Sequence, residues 1–332
     1  MTKVAMMGGG SWGTAFATVL ADAGSQVTLW TRSAEIAADI DQFHRNSRYH
    51  PDVDLPESIV ATTNPKVALA HAEIVVLAVP AQSLRENLTQ WAAWIPPDTL
   101  FVSLMKGIEL GTSLRMSEVI AEVTGAHPDR ISVVSGPNLA REIIARQPTA
   151  TTVAAPTQAG AIAIQKACTT EYFRPYWTTD VIGTEIGGSV KNVIALANGI
   201  AVGMGLGENS QSSLITRGLA EIGRLGVALG ADPLTFQGLA GVGDLVATSQ
   251  SPLSRNRTFG ENLGKGLSVE ETIAITNQTC EAYKSCQPIL ELAQKLGVEM
   301  PITSEVVQVW HYGKPPKELL RSFMARDTKS EL

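Results

Sequence analysis

Short β-branched runs alternate with helix-like segments through the first half of this 332-residue chain, and then the alternation stops. Val4–Met7, Gln26–Trp30, Ile59–Thr62, Ile74–Val79, Leu100–Leu104 and Ile131–Val134 read as strands. That rhythm makes βαβ units, which build a parallel sheet covered on both faces and bind ligands at the carboxyl ends of strands where the winding reverses. Thr149–Ala154 and Phe173–Thr178, on either side of a helical pattern from Thr157 to Cys168, extend the same sheet. From about Ile186 onward only apolar helical periodicity remains, at Val190–Met204, Ser212–Leu229, Ser268–Thr276, Ser285–Leu296 and Ile302–Trp310. Glycine clusters at Gly203–Gly207, Gly238–Gly243 and Gly260–Gly266 interrupt it. The expected organisation is an α/β doubly wound sheet over residues 1–186 and an all-helical second domain over 187–332.

Composition narrows the partners. A hydrophobic content of 44% with 17% charged residues, against about 25% charged in an average domain, describes a packed globule. The 26 basic and 32 acidic residues give a net charge of −6 with no basic run, which excludes a nucleic-acid surface or a polybasic membrane patch and leaves a small molecule as the partner. Cys168, Cys280 and Cys286 match neither a disulfide framework nor a zinc ligand set, so no metal is expected and a reducing compartment is. The amino terminus enters a strand directly, without a secretory pattern. The most apolar stretch, Val193–Gly207, is shorter than the roughly 18 apolar residues of a membrane span. A cytoplasmic protein is expected.

Directly after the first strand comes Gly8-Gly9-Gly10-Ser11-Trp12-Gly13, opening an Ala-rich helix that leads to a second strand. Gly8 permits the tight turn, Gly10 lets a pyrophosphate approach the backbone, and Gly13 lets helix pack on strand, while the free N–H groups of the helix attract phosphates. Strand, glycines and helix together imply dinucleotide binding. The carboxylate that usually holds the ribose 2′-hydroxyl of NAD is missing; the second strand ends instead at Arg32. A guanidinium there suits a 2′-phosphate, so NADP or NAD is expected as cofactor. The competing reading pairs Arg32 with Glu35 as a solvated loop charge.

Lys191 is the only charged residue between Glu185 and Glu208, in a segment apolar on every helical face. Burying its ammonium is costly without partners, and desolvation draws its pKa toward neutrality, where it serves as a general acid or base. The alternative is a lysine snorkelling from the helix start. Lys106 follows a sheet strand at the end where ligands sit, and a second lysine near the first would lower the pKa further. Ser135-Gly136-Pro137-Asn138 ends another strand, with Asn138 suited to cap the helix after it. Gly243-Asp244 offers a carboxylate on a flexible turn, and Ser254-Arg255-Asn256-Arg257 offers phosphate donors in a polar loop.

These runs, with Val190-Lys191-Asn192-Val193, Thr216-Arg217-Gly218-Leu219 and Gly238-Leu239-Ala240-Gly241-Val242-Gly243-Asp244-Leu245, resemble NAD(P)-dependent glycerol-3-phosphate dehydrogenases of the bacterial type across essentially the whole chain. The resemblance implies a Rossmann-type sheet followed by a helical domain like that of 6-phosphogluconate dehydrogenases. It implies reduction of dihydroxyacetone phosphate to sn-glycerol 3-phosphate for phospholipid synthesis, with Lys191 moving the proton. By motif match Lys106, Gly136, Asn138, Asp244, Ser254, Arg255 and Asn256 join Lys191 around the substrate. The same match places Gly8, Gly10, Ser11, Trp12, Gly13, Arg32, Lys106, Ala140, Arg255 and Glu281 around the cofactor, and makes Thr248 a further polar group of the site.

Three positions depart from the family pattern: Asp52 follows Asn46-x-x-Tyr49-x-Pro51 where glycine is usual, Cys280 and Ala282 flank Glu281 in place of Val and Gly, and Asn138 replaces a Ser or Thr. Tyr49 and the segment around Glu281 are thus open as cofactor contacts. A β-hydroxyacid dehydrogenase is the nearest rival enzyme, told apart by Asp244 and Arg255-Asn256; a nucleotide-sensing regulator is the rival of another class, and would not need Lys191. Apolar helices point to a homodimer.

Overall fold

The computed structural model describes residues 1–276, 281–316 and 318, with the side chain of Glu281 outside that description. The first half runs β1 (Lys3–Met7), α1 (Ser11–Asp22), β2 (Gln26–Trp30), α2 (Ala34–Phe43), β3 (Arg45–Asn46), β4 (His50–Asp54), β5 (Ile59–Thr62), α3 (Pro65–Leu69) and β6 (Ile74–Leu77). It continues through α4 (Leu84–Trp91), β7 (Leu100–Ser103), α5 (Met116–Thr124), β8 (Ile131–Ser135), α6 (Ala140–Ile144), β9 (Thr149–Ala154), α7 (Gln158–Ala167) and β10 (Phe173–Thr178). The regular elements among the remaining described residues are helices: α8 (Val181–Gly203), α9 (Glu208–Ala228), α10 (Asp244–Gln250), α11 (Arg255–Gly264), α12 (Val269–Thr276), α13 (Glu281–Lys295) and α14 (Pro301–Tyr312).

Eight strands form one sheet in the order β10-β9-β8-β7-β6-β1-β2-β5. The winding reverses between β1 and β6, which pair in parallel from Val4 with Ile74 to Met7 with Leu77. The expected ligand crevice is therefore at the carboxyl ends of these strands. Apolar side chains fill both faces: Phe16, Leu20, Ile40 and Phe173 on one, Leu69, Trp91, Phe101 and Ile120 on the other. A third core, around Val190, Ile194, Leu225, Phe259, Ile289 and Val306, belongs to the helices.

The sheet is parallel, as expected, except at one pairing. β9 pairs antiparallel with β8, and β10 runs parallel to β9. The connection between β8 and β9, residues 136–148, holds only the five-residue α6, and it returns the chain directly beside β8 in the opposite direction.

The central helix α8 begins at Val181, so residues 186 and 187 fall within it, and it is longer than the apolar stretch from Val193 suggested. It is long and apolar enough to cross a membrane, yet 89% of its most apolar window is buried inside the protein. Glu185 anchors it to the sheet half by accepting from Arg115 Nη1 at 2.7 Å, Ser117 N at 2.8 Å and Ser117 Oγ at 2.6 Å. On its other side α11 lies almost in backbone contact. A Cβ on Gly199 or Gly203 of α8 would come within 2.1 Å of the Arg257 or Glu261 carbonyl oxygen, and one on Gly260 or Gly264 of α11 within 2.1–2.2 Å of the Leu196 or Ile200 oxygen. Both sides of this contact carry glycines four apart, the spacing that puts them on one helical face.

Because the blocking atoms are backbone, a side chain here cannot be absorbed by a rotamer change. Gly260→Val is expected to destabilise the protein by about 2 kcal/mol or more, read as a lowered urea midpoint; an unchanged midpoint would show that the helices have room to separate.

Candidate active site

Helix α8 is buried continuously from Gly183 to Ala201, so an ionised group in its middle must find compensation within the protein. Lys191 does. Its Nζ, on a residue only 6% exposed, donates to Asp244 Oδ1 at 2.6 Å and to Thr248 Oγ1. The other oxygen of the Asp244 carboxylate accepts from Lys106 Nζ at 2.6 Å, and Lys106 also donates to the Gly136 carbonyl at 3.3 Å. One carboxylate, 1% exposed, thus sits between two ammonium groups.

The backbone makes this convergence possible. Gly188 and Lys191, three residues apart, share a helical face, and the missing side chain at Gly188 leaves room for Ser135 Oγ and the Lys106 methylenes. At Gly187 the Ala240 carbonyl would lie 2.3 Å from a Cβ, which seats the segment that carries Asp244 directly on α8. Lys106 and Gly136 follow the adjacent parallel strands β7 and β8, so the same row of strand ends that carries the glycine turn carries them.

Burial is the largest influence on Lys191 and pushes its pKa down to about 8; Lys106 pushes the same way, and Asp244 opposes both. The result is an amine that changes protonation near neutral pH in a dry site, the property a general acid or base needs.

Asp244 was expected on a flexible turn. It is instead the first residue of α10, reached through a single π-helical turn at Leu239–Gly243. Glycines here allow close packing rather than mobility: a Cβ on Gly241 would lie 2.2 Å from the Phe236 carbonyl. Ser254–Arg257, expected in a loop, forms the start of α11, where Ser254 Oγ accepts from Arg257 N at 3.3 Å as an N-cap. This places Arg255, exposed, and Asn256, buried, at the end of a helix whose free N–H groups favour an anion. Asn256 Nδ2 donates to Asn192 Oδ1 at 2.9 Å, and Asn256 Oδ1 accepts from Ala282 N at 3.3 Å. The donor cluster is thereby coupled to the residue next to Lys191. Asn192 was not assigned a role from sequence; its position four residues after Gly188 on an apolar helix is the signal that marks it.

Asn138 does not cap α6. Leu139 holds the N-cap position without a side-chain bond, and both Asn138 side-chain polar atoms are buried with no protein partner. Ala140 opens that helix, partly buried.

At the amino-terminal turn Gly8 has φ +143°, and a Cβ there would lie 2.5 Å from the Ala78 carbonyl oxygen. A Cβ on Gly13 would overlap the Gly8 carbonyl oxygen, while one on Gly10 would meet nothing within 4 Å. Two glycines therefore close the turn, and the third leaves its backbone open to an incoming group. Ser11 and Trp12 begin α1, and the buried Trp12 Nε1 has no protein partner. Arg32, just past β2, is exposed and pairs with no carboxylate among the described residues, Glu35 included. Tyr49 is partly buried, with the Arg48 guanidinium 5.7 Å from its ring centre. Glu281 begins α13, but its side chain, and the whole of Cys280, lie outside the described residues.

Family models give an independent comparison. One described as the NAD-dependent glycerol-3-phosphate dehydrogenase N-terminus matches residues 3–161, and one described as its C-terminus matches residues 180–321. An NAD(P)+ glycerol-3-phosphate dehydrogenase of Streptomyces avermitilis is 59% identical over 329 residues, covering 99% of this chain and 98% of that protein. One from Thermobifida fusca is 58% identical, covering 100% of this chain and 99% of the other. The crystal structure of glycerol-3-phosphate dehydrogenase from Coxiella burnetii has a TM-score of 0.93 at 36% identity, covering 97% and 98% of the two chains.

The two partners of Lys191 act on it with opposite sign, which gives a direct check. Competitive acetylation of Lys191 as a function of pH should give a midpoint near 8, lower in Asp244→Asn and higher in Lys106→Met. A wild-type midpoint at the ordinary lysine value of about 10.4 would mean that the ammonium is solvated.

Proposed function

The chain belongs to the NAD-dependent glycerol-3-phosphate dehydrogenase family, and on that premise we propose that it reduces dihydroxyacetone phosphate to sn-glycerol 3-phosphate, with Lys191 as its proton donor. It is an oxidoreductase that uses NAD(P). The observation that carries the proposal is the buried Lys191–Asp244–Lys106 array, joined through Lys106 to the same row of strand ends as the glycine turn.

Lys191 Nζ meets the substrate carbonyl oxygen, gives it a proton as negative charge develops, and takes that proton back in the reverse reaction. Asp244 only accepts, so it keeps the Lys191 amine oriented and balances the charge of both lysines. Lys106 lowers the proton affinity of Lys191 and supplies positive charge for an anionic substrate. Arg255, with Ser254, Asn256 and the amino end of α11, holds the phosphate, so that binding energy remote from the reacting carbon fixes its position. Gly136 and the unpartnered amide of Asn138 border the substrate.

The open backbone at Gly10 and the orphaned Trp12 Nε1 fit a dinucleotide. Gly8, Gly10, Ser11, Trp12 and Gly13 would hold its phosphates at α1, with Arg32 at the adenosine ribose and Lys106, Ala140, Arg255 and Glu281 along the remainder. When bound, the nicotinamide supplies a hydride to the ketone carbon. Arg32 is exposed and pairs with no carboxylate among the described residues, which suits a 2′-phosphate and hence NADPH. We place the enzyme in the cytoplasm, in the supply of the glycerol backbone of phospholipids, as a homodimer.

Lys191→Ala should lower kcat for NADPH-dependent reduction by roughly 10²–10⁴-fold while the protein still binds NADPH; wild-type turnover in this variant would remove Lys191 from the chemistry. Reduction needs the protonated amine, so its kcat/KM should fall as pH rises through about 8, and that of glycerol-3-phosphate oxidation should rise over the same interval. Profiles that move together would contradict one shared acid-base group. Arg32→Asp should raise KM for NADPH by about tenfold or more and spare NADH; equal effects on the two cofactors would place the guanidinium away from the ribose.

A further inference from the structure

The glycine turn is also held from outside the sheet. β3 and β4 form a small antiparallel hairpin apart from the eight strands, and of residues 45–54 only Asn46 and His50 are buried. Both are polar, and both direct N–H groups at the turn. Asn46 Nδ2 donates to the Gly9 carbonyl at 3.1 Å and to Thr14 Oγ1 at 2.9 Å. His50 Nε2 lies 2.9 Å from the Ser11 carbonyl and 3.3 Å from its Oγ. A carbonyl only accepts, so Nε2 carries the proton.

In a trans peptide the N–H points opposite to the C=O of the same plane. Drawing the Gly9 and Ser11 carbonyls toward the hairpin therefore turns the Gly10 and Trp12 N–H groups away from it. Those N–H groups belong to the start of α1, where donors lack intrahelical acceptors and favour an anion. We infer that Asn46 and His50 are positioning residues for the cofactor: by holding two carbonyls of the glycine turn, they aim the opposite N–H groups at the dinucleotide pyrophosphate. The inference rests on the dinucleotide reading of the turn given above.

The test uses the full-length protein, with NADPH titrated without substrate and steady-state kinetics measured alongside. Asn46→Ala and His50→Phe, the second of which keeps a ring and loses the donor, should each raise Kd for NADPH by about tenfold. The loss should fall on KM for NADPH, with kcat at saturating cofactor and KM for dihydroxyacetone phosphate within about twofold of wild type. His50→Gln, which keeps an N–H donor and loses the ring, should restore Kd. If instead His50→Phe binds normally and His50→Gln does not, the residue acts by packing and the inference is overturned, as it is if Asn46→Ala and His50→Phe both bind normally. Failure of the wild type to bind either NADPH or NADH would overturn the reading of the turn itself, and this inference with it.

Discussion

A charged amine in the middle of a buried apolar helix is the constraint around which the rest of this protein is arranged. Lys191 can occupy that position only because Asp244 reaches it, and Asp244 reaches it only because α8 carries glycines where other segments must come close. Gly187 admits the Ala240 backbone and Gly188 admits Lys106 and Ser135. The three charges then come from three separate parts of the chain: a helix, the end of a sheet strand, and the first turn of α10. Each is placed by packing that has nothing to do with its own charge.

The same logic explains how burial suits Lys191 to proton transfer. In water a lysine keeps its proton far above neutral pH. Here loss of hydration and the second lysine weaken its hold, while the carboxylate prevents complete neutralisation. Asp244 alone would make a tight, inert ion pair. The pairing of one carboxylate with two ammonium groups leaves net positive charge at the site, and that suits an anionic substrate. Helix starts at α1 and α11 add the partial positive charge of their free N–H groups at two other places, which favours anionic groups there.

Much of this was legible along the chain because the signals are local. Short β-branched runs marked the strands, the glycine turn announced itself between a strand and a helix, and Lys191 stood out as an isolated charge among apolar residues. Ser254 was legible in principle as an N-cap three residues before Arg257, although the polar stretch after Ser251-Pro252 argued for a loop. Features that depend on distant segments were not legible. The reversed direction of β9 is a matter of which strand it pairs with and how, which the composition of Thr149–Ala154 does not encode. Asn138 carries the composition of a helix cap, but the helix begins one residue too late for it, with Leu139 at the N-cap position. Asn46 and His50 sit in a hairpin with no periodicity, and their value lies in two carbonyls some 40 residues earlier in the chain.

The sequence by itself determined the kinds of element, the α/β and helical halves, the dinucleotide turn and the identity of the unusual lysine, since all of these rest on periodicity, backbone sterics and the cost of burying charge. Only the tertiary structure decided which carboxylate meets that lysine, which hydrogen bonds orient the turn, and how closely α8 and α11 approach. Those outcomes depend on distances between residues far apart in the chain, set by the packing of whole elements rather than by the residues that finally touch.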